Sequence, residues 1–184
     1  MNRKIILSGF GGPGVLSIGK NLAEAGLEEG REVSWVPAYG PEMRGGTANC
    51  SVKISDKRIG SPFIERPTDL IVMNRPSLIR FEPMVTTGGL VFVNSSAISD
   101  KVTREDLHVF YIPCDEIAKE LGNTKVANIV MLGAFVKATG LVKMETIEHM
   151  IHEIFTGAKA KFVPINLEAL KRGADCVTHT PLPY

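Results

Sequence analysis

KIILSGFGGPGVLSIGKNLAEAGLEEGREVSWV, residues 4–36, decides the fold class. Residues 4–8 hold a contiguous apolar run, Ile5, Ile6 and Leu7, of the kind that is buried on both sides of a sheet. Residues 9–14, GFGGPG, form a turn. Val15, Ile18, Leu22 and Ala25 then recur at helical spacing over residues 15–29, with Pro13 placed where a missing N–H costs little and Gly30 placed as a helix stop. A second strand at residues 33–36 completes a βαβ-like unit.

Working outward, apolar runs at residues 69–73 (DLIVM), 90–94 (LVFVN) and 108–112 (HVFYI) read as further buried strands, and residues 76–81 as a short helix. Residues 48–54 alternate in polarity, which predicts a strand with one wet face and an antiparallel pairing. Helical patterns follow at 115–121, 125–139, 144–155 and 166–172, with Asp115 and Asn166 expected as N-caps and Gly140 as a C-terminal stop. The expected fold class is α/β: a three-layer helix/sheet/helix arrangement on a mostly parallel or mixed sheet, with a Rossmann-like start. The expected organisation is a single domain over 1–184, with C-terminal helices at about 115–172 and an extended tail at 173–184.

Composition excludes several function classes. A net charge of +1 gives no electrostatic footprint for nucleic acid or a membrane surface, so neither is expected as a partner. Three cysteines, Cys50, Cys114 and Cys176, with no CxxC pair, argue against a disulfide framework and against a zinc or iron–sulfur site. The N-terminal apolar run is too short for a signal h-region, and the expected location is the cytoplasm.

Two loops carry the candidate chemistry. Gly9, Gly11 and Gly14 fit G-x-G-x-x-G between a strand and a helix, the setting of a phosphate-cradling turn. The dinucleotide version of that reading needs an acid closing the second strand, and Val36, Pro37, Ala38 and Tyr39 supply none. The same glycines equally suit a tight turn with close helix–strand or subunit packing, and Gly12 extends the cradle in either case. The second loop, YGPEMRGGTANC at residues 39–50, is longer than a strand connection needs, which points to binding. It sets Glu42 and Arg44 between Pro41 and the Gly45–Gly46 pair; a solvated turn is the plainer alternative. Asn128 falls inside an apolar stretch, as a satisfied core amide or as a group facing a partner. No Ser–His–Asp or Cys–His set assembles from spacing; His149 and His152 read as a solvated helix face, and Cys50 as a small buried hydrophobe. No catalytic or metal-binding residue is expected.

These motifs resemble those of the gamma subunit of the 2-oxoacid:ferredoxin (acceptor) oxidoreductases, the pyruvate, 2-oxoglutarate and ketoisovalerate enzymes. The family's first loop usually reads GxGGQGV; here it is Gly9-Phe10-Gly11-Gly12-Pro13-Gly14-Val15. Its central loop reads YGPE-x-RGG, matched throughout by Tyr39-Gly40-Pro41-Glu42-Met43-Arg44-Gly45-Gly46. Ser61-Pro62, Asp69-Leu70 and residues 125–133 (KVANIVMLG) also match, so the resemblance spans roughly residues 4–172. Pro13 departs from it, because proline lacks the glutamine amide.

The resemblance implies a subunit of a complex that oxidatively decarboxylates a 2-oxoacid to an acyl-CoA and passes electrons to ferredoxin. Its partners would be alpha and beta subunits, with or without a ferredoxin-like delta. The complex would use thiamine diphosphate, iron–sulfur clusters and coenzyme A, none of them bound by this chain alone. Gly9, Gly11, Gly12 and Gly14 become the cofactor-side loop, and Tyr39, Gly40, Pro41, Glu42, Arg44, Gly45, Gly46 and Asn128 the interface or coenzyme A-side group. A stand-alone nucleotide- or anion-binding module, and the corresponding subunit of an indolepyruvate oxidoreductase, are the alternatives.

Overall fold

The computed structural model describes residues 1–10, 13–38 and 47–177. Six strands form one mixed sheet: β1 (Asn2–Phe10), β2 (Glu32–Ala38), β3 (Thr47–Ser55), β4 (Asp69–Val72), β5 (Leu90–Asn94) and β6 (His108–Ile112), in the order β2-β3-β1-β4-β5-β6. β1, β4, β5 and β6 pair in parallel, whereas β3 pairs antiparallel with both β1 and β2. β2 therefore runs in the direction of β1 but stands two strands away. The βαβ unit exists, with β3 inserted through its middle.

Helices α1 (Pro13–Glu28), α3 (Cys114–Glu120), α4 (Ala127–Thr139), α5 (Met144–Ile154) and α6 (Val163–Asp175) cover one sheet face. The short α2 (Arg75–Phe81) and a 3-10 turn (Glu82–Met84) cover part of the other. The three-layer expectation holds, with unequal layers. The strand period of two sorts the core: Ile5, Leu7, Ile71 and Phe92 face the thick helical layer, while Ile6, Leu70, Val72, Val91 and Val93 face α2. Phe92 stacks on Phe110 and meets Phe135 edge-on, with centroids 4.7 and 5.1 Å away.

Eleven of the thirteen α4 positions are buried, so this helix is apolar all round, as an internal helix must be. Against it lies α6, and the two backbones meet at glycines. A Cβ on Gly133 would lie 2.0 Å from the Leu170 carbonyl oxygen, and one on Gly173 1.8 Å from that of Val130. Gly140 ends α4 at φ 56°, as expected.

Two N-cap expectations fail. Asp115 lies inside the first turn of α3, which starts after Pro113 with no side-chain cap. Asn166 is internal to α6, which begins three residues earlier; Pro164 stands in its first turn. Buried there, the Asn166 amide donates back to the Phe162 carbonyl at 2.8 Å. The supposed tail is helical to Asp175, and Val177 is buried in the core; residues 178–184 lie outside the described residues.

Candidate functional site

The parallel strands deliver their C-terminal ends to one edge of the sheet, where ligands of open α/β sheets bind. There Phe10, Gly14, Met73, Asn94, Asp115, Lys125 and Asn128 line a cleft of about 560 Å³. Each is placed by a strand end or a helix start. Asn94 ends β5 and is fully buried; its amide donates to the Asp115 carboxylate at 2.9 Å and its Oδ1 accepts from Ser96 N–H at 3.3 Å. Asp115 is thus held by the sheet rather than by its own helix, which is why it does not cap α3.

Asn128 opens α4 beside the start of α1, where a Cβ on Gly14 would sit 3.9 Å from the Asn128 Cβ. Its Oδ1 is buried and accepts no hydrogen bond among the described residues. An orphaned acceptor costs about 1–3 kcal/mol, so this oxygen is set to take a donor that the described residues do not supply. Asn128 also lines a neighbouring cleft of about 410 Å³ between α1, α4, α5 and α6, with Ser17, Asn21, Phe155 and Asn166 around it. It therefore stands on the wall between two recesses.

The structure brings Gly14 and Asn128 together and gives Gly9 a packing role. A Cβ on Gly9 would lie 2.5 Å from Val15 Cγ2 and 2.8 Å from Met73 Cβ, so its absence lets β1 pass beneath the start of α1. Gly11 and Gly12, and the whole of Tyr39, Gly40, Pro41, Glu42, Arg44, Gly45 and Gly46, lie outside the described residues. Asn94 and Asp115 were not legible as site residues. Only the parallel pairing of β4, β5 and β6 brings them beside Asn128. The insertion of β3 also separates the end of β2 from the glycine turn by two strand spacings, about 9–10 Å, so even an acid there would not stand beside it as in a dinucleotide fold.

Two of the three thiols are core groups, and Cys176 is half-buried. Cys50 and Cys114 are fully buried, and burial pushes the Cys50 thiol up to about 12 and that of Cys114 well above its usual range. Thiolate chemistry is thereby disfavoured at both. His149 is exposed at 60% and stands 3.5 Å from Glu28, as expected of a solvated face. Among the described residues no group of three or more His, Cys, Asp and Glu side chains gathers as a metal site, and no helix is long and apolar enough to cross a membrane.

A helix-covered mixed α/β sheet, with a polar cleft at its C-terminal edge and two buried thiols, places the chain among the doubly wound α/β domains. Its family follows from sequence: residues 4–176 match the pyruvate ferredoxin/flavodoxin oxidoreductase family, and the chain belongs to that family. It is 45% identical over 174 residues to ketoisovalerate oxidoreductase subunit VorA of Methanothermobacter marburgensis, covering 94% of this chain and 36% of that protein. The chain thus spans about a third of the length of the first curated relatives it matches. With 2-oxoglutarate synthase subunit KorC of Methanocaldococcus jannaschii it shares 36% identity over 179 residues, 95% of this chain and 94% of that one. Among solved structures, the keto/oxoacid ferredoxin oxidoreductase gamma subunit from Geobacter sulfurreducens superimposes with a TM-score of 0.80 at 28% identity, covering 95% of this chain and 97% of the other.

Proposed function

We propose that this chain is the gamma-type component, as a single domain, of a 2-oxoacid:acceptor oxidoreductase complex that converts a 2-oxoacid to an acyl-CoA and passes the electrons to ferredoxin. The observation that carries the reading is the buried Oδ1 of Asn128, unpartnered among the described residues, at a cleft where Asn94 and Asp115 already pair with each other. Such a site contributes a hydrogen-bond acceptor and a shaped wall, and takes its reacting groups from elsewhere. Thiamine diphosphate and the iron–sulfur clusters accordingly belong to other subunits. The relatives support the subunit role, since one of near-equal length is named as a synthase subunit and another as a gamma subunit.

In this reading Gly9, Gly11, Gly12 and Gly14 form the cofactor-side loop, of which Gly14 lines the cleft, and residues 39–46 supply the subunit interface and coenzyme A-side contacts. Arg44 offers a forked cation for a carboxylate or phosphate, which a lysine does not reproduce. The substrate class is a 2-oxoacid, because the relatives are named for ketoisovalerate, 2-oxoglutarate and pyruvate. The test is co-expression with the alpha- and beta-type subunits of its source, followed by affinity purification through a tag on this chain. Recovery of both partners in fixed ratio supports the reading; a chain that purifies alone in their presence refutes it.

A further inference from the structure

The register of the sheet contains one pairing that works against folding. Lys4 of β1 stands directly opposite Lys53 of β3. Directly opposed side chains hold their Cβ atoms about 4.5–5.5 Å apart, and like charges there are destabilising. Both lysines lie on the face that carries Ile6, away from the thick helical layer, where the inward partners of β3 are Cys50, Val52 and Ile54. Both are only half-buried.

The described residues offer this pair no opposite charge. Lys53 Nζ donates to the Ser61 carbonyl at 2.6 Å, one of its three donors, and neither lysine makes an ion pair among the described residues. Burial first, and then the Lys4 charge, hold the Lys53 ammonium below the usual lysine range. Asp56 at the end of β3 is already taken by the amino terminus and by Arg31. Glu32, opposite Ser55 and one step along the same face, pairs with neither lysine.

Among the described residues the surface around the pair is also left open. Ser34 and Val36 of β2, and Asn49 and Ser51 of β3, share this face and are half-exposed, because α2 and its 3-10 turn reach only over β1, β4 and β5. At its margin Phe63 is 78% exposed, held outward by a turn in which its N–H donates to Ser61 Oγ at 3.3 Å, two residues from the carbonyl that anchors Lys53. A cationic pair flanked by a free phenyl ring matches a partner surface with the opposite features. Depletion of charge around a buried aromatic anchor, with charged pairs beside it, is how protein interfaces concentrate their energy.

We propose that this open half-face of the sheet, centred on Lys4 and Lys53 and anchored by Phe63, docks a partner subunit through a carboxylate-bearing segment with an apolar socket for the phenyl ring. The proposal rests on the subunit reading above and assigns it a second surface, remote from the cleft at the C-terminal edge. The like-charge repulsion kept in the free chain is relieved when the partner's carboxylates neutralise it.

The test uses the co-expressed complex and three variants: Lys4→Met with Lys53→Met, Lys4→Arg with Lys53→Arg, and Phe63→Ala. The isolated double Met protein is expected to melt at or above the wild-type temperature, because a repulsion has been removed. Its association with the partner subunits should weaken at least ~10-fold, with a shallower dependence on salt. The double Arg protein should associate like wild type, and Phe63→Ala should weaken association without changing the melt. Unchanged association and salt dependence in both the double Met and Phe63→Ala proteins overturns the proposal. So does self-association of the isolated chain that the Met variant abolishes, since a second copy would then occupy the face. If the wild-type chain fails to associate with alpha- and beta-type subunits at all, the subunit reading falls and this surface falls with it, an outcome distinct from loss confined to the variants.

Discussion

Substituting Gly133 by alanine probes the packing that positions Asn128. Gly133 sits in the middle of α4, one and a half turns from Asn128, where the helix presses on α6. The new Cβ would lie 2.0 Å from the Leu170 carbonyl oxygen and 3.1 Å from its Cα. To reach even 3.0 Å the two backbones must separate by 3.0 − 2.0 = 1.0 Å, and neither contact is a side chain that can rotate away. Overpacking of this kind costs about 1–3 kcal/mol and occasionally more, against which Gly→Ala within a helix returns about 1 kcal/mol. Because both contacts are backbone, the cost falls at the upper end, about 3 kcal/mol, and the net expectation is a loss of about 2 kcal/mol, or ~4–8 °C in melting temperature for a chain of this size. Urea titration and thermal unfolding of the isolated chain measure it. Adding Gly173→Ala should cost much less than its own single effect, because one displacement of α6 relieves both clashes. A Gly133→Ala protein within about 0.5 kcal/mol of wild type would refute the close-contact argument, since that is the ordinary range for surface substitutions.

Gly9→Ala should destabilise the isolated chain by ~1–2 kcal/mol through its contacts with Val15 and Met73, while Gly14→Ala, whose nearest contact is at 3.9 Å, should leave the melt unchanged. Asn128→Ala should leave stability at or slightly above wild type, because it removes an unpaired buried acceptor, yet lower the complex's apparent coenzyme A affinity by about 5–30-fold; a large loss of stability in the free chain would show that the amide is paired within the fold. Asp69, fully buried beside Arg3 at 3.0 Å, has its carboxyl pushed up to about 6 by burial, with Arg3 and Thr68 opposing. Its folded pKa lies above the unfolded value of 3.8, so the folded state holds the extra proton between those limits, and this group's contribution is present below pH 3.8 and lost as pH rises through about 6. Wild-type stability measured against Asp69→Asn should therefore decline between pH 4 and 7, by up to ~3 kcal/mol; a difference that is flat with pH, or rises, would contradict the burial effect.

The layers of this fold were legible because the strands at residues 69–72 and 90–94 are apolar at all positions but Asp69 and Asn94 and carry no wet face, which a doubly covered sheet requires. The alternating pattern at residues 48–54 likewise marked β3 as a strand with one wet face and suggested its antiparallel pairing. Its insertion between β1 and β2 was not legible, since strand order is set by tertiary packing and both flanking strands would have looked the same as neighbours. Asn166 was misread for a local reason. It is a good cap type, but Pro164, suited to a first helical turn, starts α6 earlier and makes Asn166 an interior amide. Asp115 was misread for a distant one, because Asn94 holds its carboxylate from across the sheet edge. In the site, the glycine turn and Asn128 stood out by composition alone. Asn94, Asp115 and the helix contact at Gly133 and Gly173 depend on which elements meet, and no single stretch of sequence carries that.

The proposed role has this chain completing a 2-oxoacid oxidoreductase whose chemistry is done on other subunits. Its most direct test is 2-oxoacid- and coenzyme A-dependent reduction of a viologen dye by purified alpha- and beta-type subunits, titrated with this chain. The expected result is no turnover from the chain by itself, little from the other subunits without it, and activity that rises and saturates at a fixed stoichiometry as it is added. Turnover by the isolated chain, or full coenzyme A-dependent activity of the other subunits in its absence, would contradict it.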